Sequence, residues 1–263
     1  MRALSIAATG MAAQQTNVEV IANNLANMNT TGFKTQIAEF EDLLYQNIEN
    51  PGAQSSDTGT LIPNGIQLGA GVRTAAVARV TTQGALQATS NPYDLAIQGS
   101  GYFRVTLPDG TFAFTRAGNF ALSASGQIVT QNGYAVAPGI SVPSNATAVQ
   151  INSQGQVQAT IPGQSALQTL GQIELDRFPN EGGLNAVGNN LFLETAASGA
   201  PQAGVPGSTG YGTIQQGYLE ASNVDPVSAI TSLITAQRAY EMNSKVITAA
   251  NDMLQQTANM GQG

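Results

Sequence analysis

The stretch "NNLANMNTTGFK", Asn23–Lys34, ends one kind of structure and begins another. Upstream of it, Leu4, Met11, Val18 and Leu25 repeat every seven residues, with Ala7, Gln14, Ile21 and Met28 as a second set. That spacing predicts a helix over residues 4 to 28 with a coiled-coil seam, about 40 Å long at roughly 1.5 Å per residue. Between Leu4 and Met28 the only charged side chain is Glu19; the positions off the seam are Thr16, Asn17, Asn23, Asn24, Asn27 and several Ala. A helix with a wet back normally carries Lys, Glu and Arg there, since these are rarely buried unpaired. Amides tolerate burial far better, because neutral hydrogen bonds satisfy them. The helix is therefore expected to be touched on every side, by packing within the chain along the seam and by neighbouring copies on its back. At its end, Gly32 can adopt the left-handed C-cap conformation and Phe33 can fold back in the accompanying apolar contact, so "TTGF" predicts the stop.

A second helix is expected at the other end of the chain. Asp225-Pro226 reads as an N-cap followed by proline in the first helical position, where its missing N–H costs nothing. Beyond it Leu233, Tyr240, Ile247 and Leu254 again repeat every seven, flanked by Ala229, Ala236 and Ala250. The simplest arrangement packs the two terminal helices against each other.

Between them the period falls to two. "GYFRVTLPDGTFAFTRAGNFAL", Gly101–Leu122, predicts two strands joined at Pro108-Asp109-Gly110, and "GQIVTQNGYAVAP", Gly126–Pro138, a hairpin in which Asn132-Gly133 supplies positive φ values. Further strands are expected at Val149–Ile151, Gln156–Thr160, Gln172–Phe178, Leu191–Glu194 and Gly217–Glu220. Glu39, Glu41 and Asp42, interleaved with Phe40, Leu43, Leu44 and Tyr45, suggest a short amphipathic helix, and the aperiodic, Gly- and Pro-rich Tyr45–Gly71 reads as a linker. The expected fold is a mainly β domain inserted between N- and C-terminal α-helices that pack as a coiled-coil-like core. Its segments are a helix over 1–32, a short helix and extended stretch over 33–70, an all-β domain over 71–222 and a helix over 223–263.

Composition removes several classes of function. Charged residues make up 10% of the 263 residues, against roughly a quarter in an ordinary soluble domain. A net charge of −7 and no basic patch leave nothing to neutralise nucleic-acid phosphates. There is no Cys and no His, so disulfides, thiolates and the commonest acid/base and metal-binding group are missing. Gly99-Ser100-Gly101 and Gly69-Ala70-Gly71 run into strands and fail as phosphate-cradling loops. Glu174 and Asp176 share a strand face and read as surface charges rather than as paired catalytic carboxylates. No catalytic residue, metal ligand or cofactor site is expected. The start, "MRALSIAATGMAAQQ", is broken by polar residues and lacks the apolar run of a cleavable secretory signal, and no window is apolar for long enough to span a membrane.

Several stretches together resemble a known family. "ATGMAAQQTNVEVIANNLANMNTTGFK" is similar to the N-terminal motif of the axial proteins of the bacterial flagellum, the rod and hook subunits. "QRAYEMNSKVI", Gln237–Ile247, followed by "DML", resembles their C-terminal motif, and "DLAIQGSGYFRV", "FTRAGNF" and "QGYLEASNVDPV" resemble internal segments. "FEDLLYQNIENPGAQSSDTG", Phe40–Gly59, looks like a stretch characteristic of distal rod subunits, which replaces the linker reading. The resemblance implies a helical tube with the terminal helices lining its core and the β domain outside. It places the assembly interface at Leu4, Met11, Val18, Ile21, Asn23, Asn24, Leu25, Asn27, Met28, Gly32, Phe33, Leu233, Tyr240, Ile247 and Leu254. A rod-stiffening stretch is implied at Asn50, Pro51, Gly52, Ala53, Gln54, Ser55, Ser56 and Asp57. The implied partners are further copies of the chain, proximal rod subunits, the hook subunit, the peptidoglycan and outer-membrane ring proteins, the rod cap and the flagellar type III export apparatus, in the periplasm-spanning part of the basal body. A proximal rod or hook subunit is the alternative within the family. A carbohydrate-binding β domain with helical oligomerisation arms is the alternative of another class, disfavoured by the absence of Trp.

Overall fold

The computed structural model describes residues 2–49, 65–163 and 166–260. Helix α1 is Arg2–Ala26 and helix α2 is Pro226–Met260, with strands throughout the residues between them. No helix among the described residues is long and apolar enough to cross a membrane. The chain forms two compact units. One comprises Met1–Leu25, Gln36–Ala78 and Asp225–Gly263; the other comprises Ala26–Thr35 and Arg79–Val224.

In the first unit α2 starts as its sequence dictates: the Asp225 carboxylate accepts the Val227 N–H at 3.1 Å, and the Asp225 carbonyl accepts the Ala229 N–H at 2.9 Å. The helices pack through small residues. Ala7, Ala13, Val20, Ile21 and Asn24 are buried on α1, Ala236 and Ala250 on α2. The helices meet at Gly10, where an added Cβ would lie 2.9 Å from Asn243 Nδ2, the mobile end of a side chain on α2.

Asn24 is not spare polarity. Its amide donates to the Gln36 carbonyl at 2.7 Å and accepts the Gln36 N–H at 2.8 Å, the two bonds a neighbouring β-strand would make. This fixes the first residue of strand Gln36–Asp42, which pairs with Val72–Arg79, while Tyr45–Glu49 pairs with Ile66–Gly69. The acidic segment expected as a short amphipathic helix is thus two strands; non-local pairing overrides a weak local preference.

The second unit holds the β core. Strand Tyr102–Thr106 joins Phe112–Thr115 through the expected turn, where Asp109 accepts the Thr111 N–H at 2.9 Å and Gly110 has φ +83°. It also pairs with Ala135–Val136 and with Leu175–Arg177, so it lies inside a nine-stranded sheet. Phe103, Val105, Leu95, Ile97, Phe120 and Ile214 are fully buried in one cluster, and Tyr102, Phe114, Phe178 and Leu184 form a second. In the Ile128–Val129/Ala135–Val136 hairpin only Gly133 takes a positive φ, because its loop is longer than two residues. The two-residue turn with both φ values positive is Asn189–Asn190, between Asn185–Gly188 and Leu191–Leu193.

Two segment boundaries differ from the sequence reading. Helix α1 ends at Ala26, and residues 26–35 belong to the β unit, which begins again at Arg79 rather than at residue 71. A fragment spanning residues 26–224 is therefore expected to fold as a monomer. One limited to 71–222 loses the bonds that Gly32, Lys34, Thr35 and Asn223 make within this unit and should melt about 10 °C or more lower. Equal melting temperatures by circular dichroism would show that residues 26–35 add nothing to the fold.

Candidate assembly surface and its anchor

Residues 26–35 are anchored by buried charge. Lys34 Nζ lies 2.6 Å from Glu220 Oε1, and Arg116 Nη2 and Nε lie 2.8 and 2.9 Å from Glu220 Oε2. The Glu220 side chain is 0% exposed, Lys34 3% and Arg116 5%. The Gly84 N–H gives the carboxylate a fourth donor at 3.0 Å, Lys34 also donates to the Thr82 carbonyl, and Arg116 Nη1 donates to the Gly99 and Gly101 carbonyls. Burial holds the Lys34 ammonium below the ordinary lysine range even though Glu220 pulls it upward. The desolvation of Lys34 thus outweighs what its pairing returns.

The backbone continues the clamp. The Gly32 N–H donates to the Glu220 carbonyl at 2.8 Å. Gly32 has φ +68°, and a Cβ there would lie 2.8 Å from Ala117 N, so both the conformation and the contact require glycine. Asn223 Oδ1 accepts from Thr35 N and Oγ1 at 2.7 and 2.9 Å, while its Nδ2 donates to the Val80 and Thr82 carbonyls. Phe33 is half-buried, and its backbone pairs with Thr30 and Asn223. Gly32 and Phe33 therefore serve the β unit rather than the helix cap expected of them.

The heptad residues divide. Leu4, Met11, Val18, Leu25, Leu233 and Ile247 are half-buried and Ile21 is buried, whereas Tyr240 and Leu254 are 41% and 44% exposed. Asn23 and Met28 are exposed and Asn27 is half-buried. Exposure alternates along the α2 repeat, half-buried at Leu233 and Ile247 and exposed at Tyr240 and Leu254. Helix α2 has 35 residues against 25 in α1. The far end of α2 is left with Met253, Leu254 and Met260 exposed. The paired strands of the same unit expose Ile37, Tyr45, Ile48, Ile66 and Leu68, and the link between two of them exposes Leu44; two-stranded ribbons are marginal alone. The stretch Asn50–Asp57 lies outside the described residues.

Asp176 is a correction to the sequence reading. It is wholly buried in a paired central strand and takes a two-pronged ion pair from Arg104, which lies over the Phe112 ring; only Glu174 is a surface charge. Among the described residues no group of His, Cys, Asp and Glu is arranged to hold a metal ion.

Three family models match this chain: the flagella basal body rod protein family over residues 4–34, the flagellar hook protein FlgE/F/G D1 domain over 96–159, and the flagellar basal body rod FlgEFG protein C-terminal region over 215–260. A flagellar basal-body rod protein FlgG of Caulobacter vibrioides is 60% identical over 99% of both chains. The chain belongs to the flagellar rod and hook protein family. FlgG of Agrobacterium fabrum is 52% identical over 96% of this chain and 97% of its own, and FlgG of Bacillus subtilis 39% over 99% of both. Each of the three matched segments contributes one member of the buried cluster: Lys34, Arg116 and Glu220. The family's separate motifs meet at one carboxylate.

Removing that carboxylate should cost more than removing either cation. Glu220→Gln strands two buried cations and is expected to destabilise the chain by about 3–5 kcal/mol. Lys34→Met keeps the Arg116 pair, relieves the ammonium's desolvation and should cost less than half as much. Denaturant unfolding of the two variants checks the order; a costlier Lys34→Met would contradict it.

Proposed function

We propose that this chain is a structural subunit of the distal flagellar rod, which self-assembles into a stiff helical tube, transmits torque from motor to hook and leaves a central channel for exported subunits. It carries out no catalysis. What supports this reading, beyond the full-length similarity to FlgG proteins, is the state of the first unit. Its helices bury few side chains fully, and α2 keeps large apolar side chains exposed, with Val227 at 74%, Met242 and Met253 at 61% and Met260 at 77%. Exposed apolar area of this kind marks a surface meant for other protein, and copies of the same chain are the partner a rod requires.

On this reading Leu4, Met11, Val18, Ile21, Leu25, Leu233 and Ile247 hold each subunit's own helix pair, while Asn23, Met28, Tyr240 and Leu254 face neighbours. Asn50–Asp57 stiffens the tube. Proximal rod subunits and the hook subunit adjoin the tube's two ends, the peptidoglycan and outer-membrane ring proteins surround it, and the export apparatus and rod cap serve its growth across the periplasm.

Leu254→Asp, at an exposed position, should leave secretion and subunit folding unchanged and abolish rods in electron micrographs of purified basal bodies. Normal rods from that variant would remove α2 from the interface. Deleting residues 50–57 is expected to give curved polymers, and straight ones would take away the stiffening role.

A further inference from the structure

Helix α2 carries three of the six methionines of the chain, and they share one side of it. Met242, Met253 and Met260 are eleven and seven residues apart, which at 3.6 residues per turn puts them within about 20° of one line along the helix. They are 61%, 61% and 77% exposed. Val246 and Ala249, both exposed, lie in the same stripe. All four charged residues of α2, Arg238, Glu241, Lys245 and Asp252, fall on one flank of the stripe, and the buried Ala236 and Ala250 lie about a quarter turn away on the other. The stripe itself is therefore uncharged, apolar and open. The other described methionines are more covered: Met11 is half-buried, and Met28 is 39% exposed.

We propose that this stripe is a site of oxidative modification: a hydroperoxide converts Met242, Met253 and Met260 of the free subunit to methionine sulfoxide, and the modified subunit no longer polymerises. At each sulfur an S–O bond forms as the peroxide O–O bond breaks; the thioether loses two electrons, and the peroxide is reduced to water or an alcohol. Access decides which sulfurs react, and these three are the most exposed of the described methionines. A thioether is unbranched and adaptable, which suits an apolar contact with a second copy of the chain. A sulfoxide is polar, and covering it costs free energy unless a hydrogen bond replaces its water. The effect on polymerisation rests on the rod-subunit reading above, whereas the reactivity of the three sulfurs rests on their exposure alone. Contact with neighbours shields the stripe in the finished polymer, so the modification acts before a subunit is placed.

The test is polymerisation of the purified full-length chain before and after treatment with hydrogen peroxide, followed by sedimentation and electron microscopy, with peptide mass spectrometry locating each added oxygen. Met242, Met253 and Met260 should each gain one oxygen ahead of Met11, with the β unit's circular dichroism unchanged. The concentration at which polymers form should rise about tenfold or more, since three apolar side chains of the contact have become polar. Methionine sulfoxide reductase should reverse the rise. The combined variant Met242→Leu, Met253→Leu and Met260→Leu should polymerise with or without peroxide, and the same three positions changed to Gln should behave as the oxidised chain does without any peroxide. An oxidised chain that polymerises at the untreated concentration, Met11 reacting as fast as the three, equal reactivity of the three in finished polymers, a Leu variant still blocked by peroxide, or a Gln variant that polymerises normally would each overturn the assignment. An untreated chain that never polymerises would instead overturn the rod reading, and with it the consequence drawn for assembly.

Discussion

The carboxylate of Glu220 is the constraint around which the β unit closes. It lies 186 positions from Lys34 and 104 from Arg116, and it draws both to itself with its side chain wholly out of water. A buried charge is tolerable only when fully paired, so the strand that carries Glu220, the segment that carries Lys34 and the turn that carries Arg116 must arrive together or not at all. The neighbouring backbone agrees with this demand. Gly84, Gly32 and Asn223 each add bonds that make sense only in the closed arrangement. The beginning and end of the β unit are thereby fastened at one point.

Those helices follow a different logic. Where the β unit hides its polar groups in specific pairs, the helices bury few side chains fully, and α2 keeps Val227, Ile230, Ile234, Met242, Val246, Met253, Leu254 and Met260 exposed. Small residues permit close approach but bury little area, and burial scales with area at about 25 cal/mol per Å2. On the proposed reading, such a subunit gains most of its helical stability from neighbours. That suits a polymer whose subunits must not set rigidly before they are placed. The low charge of α1 belongs to the same economy, because a charged side chain facing another copy would have to be paired there as well.

Much of the architecture was legible in the sequence because local rules governed it. The Asp225-Pro226 cap, the turn at Pro108-Asp109-Gly110 and the period-two strands lie where short-range chemistry puts them. The anchor was legible only as fragments. "TTGFK", "FTRAGNF" and "QGYLEASNVDPV" each stood out as a motif, yet nothing in the spacing of Lys34, Arg116 and Glu220 says that they touch. Asp176 misled for the same reason: strand alternation puts it on a face, and only the non-local pairing of that strand on both sides makes the face internal. Nothing in the sequence signals that Asn24 bonds the Gln36 backbone as a neighbouring strand would. The seven-residue repeat of α2 was legible, but not which of its members the chain itself covers: Leu233 and Ile247 are half-buried, whereas Tyr240 and Leu254 are exposed.

Native-state hydrogen exchange is the most direct test of the central claim, that residues 26–35 are part of the β unit and not a flexible lead-in to it. The Gly32 amide, bonded to the Glu220 carbonyl, should exchange only through the same opening that exposes Phe103 and Ile97 in the core. Exchange of Gly32 at the rate of an exposed loop, while the core amides remain protected, would show that the segment opens independently and that the buried cluster does not hold the unit closed.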